Sequence, residues 1–473
     1  MTRLRRPLRN RWANIRDAIR SSIWPTPTLW ILVAVVAGVL IPEVDERIDA
    51  GLSDFVTGLL FGGGADAART VLSAIAGSLI TATSLTFSLT VVALQLASSQ
   101  ASPRLLRLFA SDRMVHATMS VFLGTFAYAL TVLRTVRSET QTEPEQVPQI
   151  AVTVASLLTL ASVIMLALFL AHLARQLRVE TMLKNVNEET ARVIERMPDP
   201  QPEHSAGAEA LDRPAAAARV IAQKSGFLVS LDRTSLIEVA QRFGLGIAEE
   251  VTVGASVVRG SPLAYWWPLG AEPDEDARSE IQDCIVRAHD LEYERTAAED
   301  VGFGLRQLAD VALKAVSPGI NDPTTAVHAL SHTSAILCLL VQRPAESAVL
   351  ADGDGTPRLL RKIMDVPALI ELSLGQLRHY GAGDIGVAAR MLQLLRELAF
   401  ANRRADLEAV IRQQLERLTA RIREQPFDAA EMDQLEGLRT AALTALSGVW
   451  PPDGAAGTLL AEARLETTGT PSP

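Results

Sequence analysis

The chain has 473 residues, a formal net charge of -9 and two cysteines, Cys284 and Cys338. The acidic balance argues against nucleic acid as the main partner, because phosphate binding needs a basic surface. Two cysteines provide neither a disulfide framework nor a four-ligand zinc site, and they suit a reducing cytosol.

Four apolar segments follow a basic N-terminus, residues 1–22, that is dense in arginine. A helix that crosses a bilayer needs about 20 mostly apolar residues. Residues 23–41, 71–96, 114–133 and 150–173 meet that requirement. We therefore predict a membrane α-helical fold with a four-helix transmembrane domain over residues 23–173. A cleaved signal peptide is not expected, because no small-residue cleavage site follows the first segment.

Charges flanking these segments predict their orientation. Arginines mark the N-terminus, the second connection and the exit of the fourth segment, whereas the first opposite loop is acidic. Because positive loops stay in the cytoplasm, we expect an inner-membrane protein with both termini cytoplasmic. Arg134 and Arg137 weaken this bias in the second outer loop.

The second segment carries a polar strip at helical spacing. Its candidate pore-lining residues are Thr81, Ser84, Ser88, Gln95 and Ser99. Small and hydroxyl side chains let helices pack closely in lipid, which explains the strip without any transport. A water-filled path for a solute explains it too, and the Gln95 amide favours that interpretation because it needs a partner or water in lipid. The four segments contain no acidic residue, lysine or arginine, which argues against a proton relay.

The rest of the chain is predicted to be a cytoplasmic α+β portion. Residues 174–200 continue the fourth helix with a coiled-coil-like apolar repeat, and residues 201–216 form a linker. Alternation in GFLVSLD and EEVTV predicts strands in a small β-rich module over residues 217–270, with TSLIEVAQRFG as a helix between them. Residues 274–449 have helical periodicity, and residues 450–473 form a Pro-, Gly- and Ala-rich tail.

Aromatic residues close the predicted β-rich module. Tyr265, Trp266 and Trp267 could stack a ligand, although such residues are more often core or interface aromatics.

The motif SPGINDPTTA is the strongest local signal in the predicted helical domain. Asp322 followed by Pro323 is typical of a helix N-cap and first turn. The exposed amides and hydroxyls there also suit a small cytoplasmic anion. The candidate residues are Ser317, Gly319, Asn321, Asp322, Thr324 and Thr325. A tight turn between two helices explains the same residues without any ligand.

No metal, cofactor or enzymatic activity is expected from the motifs. His328 and His332 lie four residues apart, but no third ligand stands in register with them. The sequence contains no Walker lysine loop, HExxH or G-x-S-x-G motif.

Three blocks of sequence are specific enough to indicate a family: LTFSLTVVALQLASSQASPRLLRLF, GTFAYAL and FGLRQLADVALKAVSPGINDPTTA. They resemble the bacterial membrane proteins grouped as domain of unknown function 2254 (DUF2254), over nearly the whole chain. The chain departs from the family's pattern where Asp300 is followed by valine instead of proline, which affects the local turn. The resemblance implies a membrane protein of this organisation and no particular activity.

Two functional hypotheses follow from these features. The first is a homo-oligomeric channel or passive transporter in the lipid bilayer, gated by its cytoplasmic domain. The alternative is a membrane-anchored sensor or scaffold whose spans only pack. A membrane-bound enzyme is a third class, and no motif supports it.

Overall fold

The computed structural model describes residues 25–48, 60–100, 112–137, 147–176, 178–197, 211–297, 299–345 and 347–450. The predicted basic N-terminus, most of the predicted linker and nearly all of the predicted tail lie outside these ranges, as does the side chain of Ser99. The chain divides into two compact units, Met1–Met182 and Leu183–Pro473.

Four helices form the described part of the first unit. They are α1 (Pro25–Ile48), α2 (Ala65–Gln100), α3 (Arg113–Leu133) and α4 (Gln149–Gln176). Helix α3 packs against each of the other three and is the most buried of them. Phe122 and Tyr128 of α3 are each only 1% exposed and fill the interior together with Leu72 of α2.

The outside of the first unit is apolar. Large side chains point away from the core on three helices, with Leu29 of α1 60% exposed, Phe87 of α2 61% and Leu157 of α4 61%. A water-soluble protein buries such side chains, and large exposed apolar surfaces mark contact with a membrane or a partner.

The second unit combines short strands with helices. Its elements are α5 (Val179–Arg196, which starts just before the unit boundary), β1 (Ala218–Ile221), β2 (Gly226–Leu231), α6 (Arg233–Phe243), β3 (Leu245–Glu249), β4 (Ser256–Val257), β5 (Pro262–Pro268), α7 (Glu275–Ala288), β6 (His289–Glu292), α8 (Val301–Ala315), α9 (Pro323–Gln342), β7 (Val349–Ala351), β8 (Pro357–Leu360), α10 (Val366–Tyr380), α11 (Ile385–Ala401), α12 (Ala405–Arg423) and α13 (Ala429–Leu446).

The strands form two sheets. A five-stranded sheet has the order β1-β5-β3-β8-β7, and a three-stranded antiparallel sheet has the order β4-β2-β6. Within the larger sheet only β3 and β8 are parallel, with Ile247 opposite Leu359. Helices α6 and α7 cover this sheet, and their apolar residues surround the buried Trp266.

Helices make up the remainder of the second unit. Helices α8 and α9 form an antiparallel hairpin, and α11 packs against α9 and α13. Each of α8, α9, α10 and α11 begins at an aspartate that accepts a backbone N–H bond, namely Asp300, Asp322, Asp365 and Asp384. These side chains satisfy amides that a helix start otherwise leaves without a partner.

The helix count differs from the sequence prediction. Among the described residues, five helices are long and apolar enough to cross a membrane: α1 to α4 and also α9. The sequence prediction has four apolar segments, and it assigns the residues of α9 to the helical domain over residues 274–449. Half of the apolar window of α9 is buried within the protein.

Two further differences concern boundaries. The predicted continuous fourth helix is divided, since α4 ends at Gln176 and α5 begins at Val179. The predicted strand EEVTV is not formed. The strand is LGIAE, which overlaps EEVTV only at Glu249. Its five residues are all buried and therefore show no alternation.

Strands also occur where the sequence predicts helices alone. β6, β7 and β8 all lie after residue 274, and each pairs within a sheet begun earlier in the chain. They are three or four residues long, too short for a period-two pattern to stand out.

Candidate functional site

The predicted pore-lining residues share the outer face of α2. Thr81, Ser84, Ser88 and Gln95 are all exposed, and the fifth candidate, Ser99, has no described side chain. The hydroxyls of Thr81 and Ser84 donate to the carbonyls of Gly77 and Ile80, each at 3.0 Å. The polar strip therefore faces away from the helices that the structure describes in the first unit.

The opposite face of α2 provides the intramolecular packing. Leu72, Ile75, Leu79 and Thr86 are buried there, at the three- and four-residue spacing of one helix side. Leu79 is therefore an interior position, whereas Phe87 is exposed beside the polar strip. The sequence could not distinguish these two positions, because both lie off the strip.

Buried polar side chains also occur inside the first unit. Thr125 of α3 and Ser162 of α4 lie 3.3 Å apart, and Tyr128 donates to the carbonyl of Ala151 at 3.1 Å. At the helix ends, Asp112 caps α3 and its Oδ2 lies 2.6 Å from His172 Nε2. Sequence reasoning missed these pairs because their members lie 23 to 60 residues apart.

A cavity of about 880 Å³ opens at the other end of the first unit, where α1 and α3 end and α4 begins. Its wall includes Glu43, Asp45, Arg134 and Arg137. Asp45 is 4% exposed, and its Oδ2 accepts the backbone N–H of Ile150 at 2.9 Å. The carboxylate thereby ties α1 to the start of α4.

The SPGINDPTTA segment is the turn between α8 and α9. Asn321 has a φ of 51°, in the left-handed region that asparagine tolerates better than most residues. Asp322 accepts the Thr325 N–H at 3.1 Å and the Thr325 hydroxyl at 2.6 Å, and these bonds lower the pKa of Asp322. The predicted N-cap is confirmed.

The other candidates in this turn are arranged differently. Ser317 is half-buried and donates to the Lys314 carbonyl at 2.6 Å, whereas Gly319, Asn321 and Thr324 are exposed. The Asp322 carboxylate already occupies the first turn of α9, so it competes with any anion for those amides.

The aromatic residues of β5 belong mainly to the core. Trp266 is 2% exposed and Trp267 is 6% exposed, in agreement with the core interpretation, while Tyr265 is half-buried beneath the guanidinium of Arg213. No group of three or more histidine, cysteine, aspartate or glutamate residues in the described part of the chain could hold a metal ion.

A second cavity, of about 290 Å³, lies in the second unit and was not anticipated from the sequence. Basic residues from separate segments line it, namely Arg233, Arg295, Arg361 and Lys362. Burial raises the pKa of two lining carboxyls, Glu299 and Asp300. Glu299 and Asp300 lie far along the chain from Arg233, so no short sequence motif contains all the charged residues of this cavity.

Apolar helices with outward-facing aliphatic side chains, joined to a unit of short sheets and helices, define a membrane protein. The chain belongs to the family described as Predicted membrane protein (DUF2254), whose profile matches residues 20–397. An uncharacterised protein of Mycobacterium bovis and one of Mycobacterium tuberculosis are each 30% identical to it over 394 residues. The alignments cover 82% of this chain and 74% of each relative. No solved structure matches the chain.

Proposed function

We propose that the protein is a homo-oligomeric channel or passive transporter of the inner membrane. The supporting observation is the outward polar face of α2. In lipid, an amide such as that of Gln95 needs a partner helix or water. The described helices α3 and α4 pack on the opposite face, and in this proposal a second copy of the chain completes the surface.

In this proposal α1 to α4 span the membrane and α9 does not. The argument rests on the partners of α9 in the second unit. Arg390 of α11, only 8% exposed, donates two bonds of 2.8 Å to Glu397, and Ser334 of α9 donates to the same carboxylate. A helix hydrogen-bonded to a partly buried ion pair of a neighbouring helix is poorly suited to lipid.

The proposed orientation places both termini in the cytoplasm. Arg104, Arg107 and Arg113 precede α3, and Arg175 and Arg178 follow α4. If four helices cross, these arginines lie on the same side as the basic N-terminus, which is the cytoplasmic side by the positive-inside rule. The second unit then lies in the cytoplasm, where it can gate the membrane domain.

A membrane-anchored sensor or scaffold is the second candidate. It is favoured by the hydroxyls of Thr81 and Ser84, which already bond to backbone carbonyls of their own helix. Such hydroxyls need no water, so the face also suits a dry contact between copies.

Flux measurement separates the two candidates. Purified protein is reconstituted into liposomes, and potassium and chloride fluxes are measured with ion-sensitive dyes. A channel gives protein-dependent flux that is reduced by Ser88→Leu while the oligomer stays intact. If the oligomer is stable and flux at high protein density is no faster than in vesicles without protein, the scaffold is favoured.

A further inference from the structure

The 290 Å³ cavity in the second unit has the residues of a built binding site. It lies where the loop Thr252–Ala255 meets the first turns of α8 and α10. Small-molecule pockets usually enclose about 300–1,000 Å³, so this cavity suits a ligand at the small end of that range.

The first guanidinium on the cavity wall is held by a buried carboxylate. Arg233 donates from Nε to Glu249 Oε1 at 2.7 Å and from a terminal nitrogen to Oε2 at 3.1 Å. The Glu249 side chain is completely buried and also accepts the backbone N–H of Lys362 at 3.1 Å. A guanidinium has five N–H donors, so this ion pair orients Arg233 and leaves donors for a ligand.

The second guanidinium is held in the same manner. Arg295 donates from Nε to Asp300 Oδ2 at 2.8 Å, and Asp300 is only 6% exposed. Gly254 permits this close approach, because a β-carbon there would lie 2.3 Å from Asp300 Oδ2. Its φ of 87° also suits glycine alone among common residues.

These ion pairs are poorly explained by stability alone. Taking a charged pair out of water costs about as much as the attraction returns, and apolar replacements are often neutral or stabilising. Two such pairs on one cavity, with Arg361 and Lys362 beside them, are better explained by recognition of a negative group. Two further carboxyls line the wall. Asp365 accepts the Ala368 N–H at 2.9 Å as the α10 cap, and burial raises the pKa of Glu299, which favours its neutral form.

We propose that this cavity binds a small organic anion, a carboxylate or a phosphate ester with a short apolar part. The anionic group meets Arg233, Arg295 and Lys362. The apolar part lies against Met364, Leu369 and Leu372, which line the same cavity. Binding does not depend on transport, and only its use as a gating signal rests on the proposed function.

The test uses the purified full-length protein in detergent, with its melting temperature followed by tryptophan fluorescence. The probes are butyl phosphate and butyrate, which separate the two anion types. Inorganic phosphate lacks the apolar part of the expected ligand, and butanol lacks its anionic group. We expect a saturable rise in melting temperature with at least one of the two organic anions, a smaller rise with phosphate and none with butanol.

Two variants test the location without breaking a buried ion pair. Ala368→Leu fills the cavity from the exposed first turn of α10. Lys362→Gln removes a half-exposed charge whose Nζ lies 3.6 Å from Glu250 Oε1 in a solvent-accessible ion pair. We expect each to weaken the anion affinity about tenfold, the loss typical of one charge-assisted bond for Lys362. The matched controls are Ala430→Leu, at an exposed first-turn position of α13, and Lys224→Gln, an exposed lysine outside the cavity.

Absence of a saturable shift with both organic anions overturns the proposal, as does wild-type affinity in Ala368→Leu and Lys362→Gln. The readout is independent of flux. Binding without flux would therefore refute only the channel, and flux without binding would refute only this site.

Discussion

Gly304 of α8 lies against Thr190 of α5 with no space for a side chain between them. A β-carbon at Gly304 would lie 1.9 Å from Thr190 Oγ1 and 2.9 Å from Thr190 Cβ. Thr190 is 2% exposed, and its hydroxyl donates to the Val186 carbonyl at 2.7 Å. The contact fixes how closely these two helices approach.

Replacing this glycine tests the contact. We expect Gly304→Ala to lower the free energy of unfolding by about 1–3 kcal/mol, the usual cost of overpacking. Differential scanning fluorimetry of the full-length protein measures the change. The double variant Thr190→Ala/Gly304→Ala should recover part of the loss, because it removes the hydroxyl and methyl groups of Thr190.

A second glycine provides the control for this experiment. Gly437 is exposed within α13, and a β-carbon there meets nothing within 4 Å. Gly437→Ala should stabilise by about 0.4–1 kcal/mol, because alanine has the higher helix propensity. Equal effects at both glycines would contradict the close contact.

Topology is tested with reporter fusions. Fusions after Glu43 and Glu143 should report the periplasm, and fusions after Arg107 and Arg178 the cytoplasm. Fusions after the exposed Gly319 and Pro344, on either side of α9, should both report the cytoplasm. Opposite reports from these two would make α9 a fifth span, and a cytoplasmic report after Glu43 would overturn the four-span proposal.

The turn before α9 is tested by separating its cap from its exposed threonine. Asp322→Ala should cost about 1 kcal/mol at neutral pH, as lost caps typically do. Thr324→Ala should leave the melting temperature unchanged and weaken any anion response of the turn. The measurement is an inorganic phosphate titration of both changes in the Ala368→Leu background, where the cavity of the second unit is filled. Unchanged affinity in both would make the turn purely structural.

The cap also predicts a pH dependence. Hydrogen bonds from Thr325 lower the pKa of Asp322 in the folded protein, so folding favours its carboxylate form. This contribution is therefore complete above the unfolded-state pKa and is lost as the pH falls through the folded pKa. The stability difference between wild type and Asp322→Ala should shrink below about pH 4, near the ordinary aspartate pKa. A constant difference down to pH 3 would contradict this.

Water access to α2 is tested with single cysteines at Thr81, Ser84, Ser88 and Gln95, after Cys284 and Cys338 are changed to serine. A pore lining predicts rapid reaction with a small water-soluble thiol reagent in intact membranes. Cysteines at the buried Leu79 and at Phe87, beside the strip, should react slowly. Uniformly slow reaction at all four positions would favour the scaffold.

A larger side chain in place of Ser88 provides an independent test of the channel and scaffold hypotheses. In a water-filled path, Ser88→Leu blocks flux and leaves the oligomer intact. In a tightly packed contact between copies, the same change overpacks the interface at a cost of about 1–3 kcal/mol. Size-exclusion chromatography then shows a smaller assembly. Phe87→Leu, on the apolar flank of the strip, should change neither property.

The features that could be predicted from the sequence are those that depend on a single segment of the chain. An apolar run of membrane length identifies a candidate span by itself, and the spacing of Thr81, Ser84 and Ser88 identifies one helix face. The direction of that face depends on where α3 and α4 pack, which the α2 sequence does not contain. Similarly, Asp322-Pro323 predicted the cap, because a cap is formed by neighbouring residues.

Features assembled from distant segments could not be predicted. The Arg295–Asp300 pair is local, but Gly254 beside it and Arg233 across the cavity come from other elements. The apolar length of α9 does not by itself show whether this helix packs in a polar unit or in lipid. Its partner Arg390, which donates to the Ser331 hydroxyl of α9, lies 59 residues further along the chain.

The pairing of β3 with β8 can form only late in the synthesis of the chain. Ile247 leaves the ribosome more than a hundred residues before its partner Leu359, and until then one edge of β3 has no neighbouring strand. Unpaired edges recruit other chains. A fragment that ends after the β5 strand should therefore aggregate, whereas one extending through Leu360 can close its sheet. During translation, the nascent chain remains vulnerable until β8 has emerged.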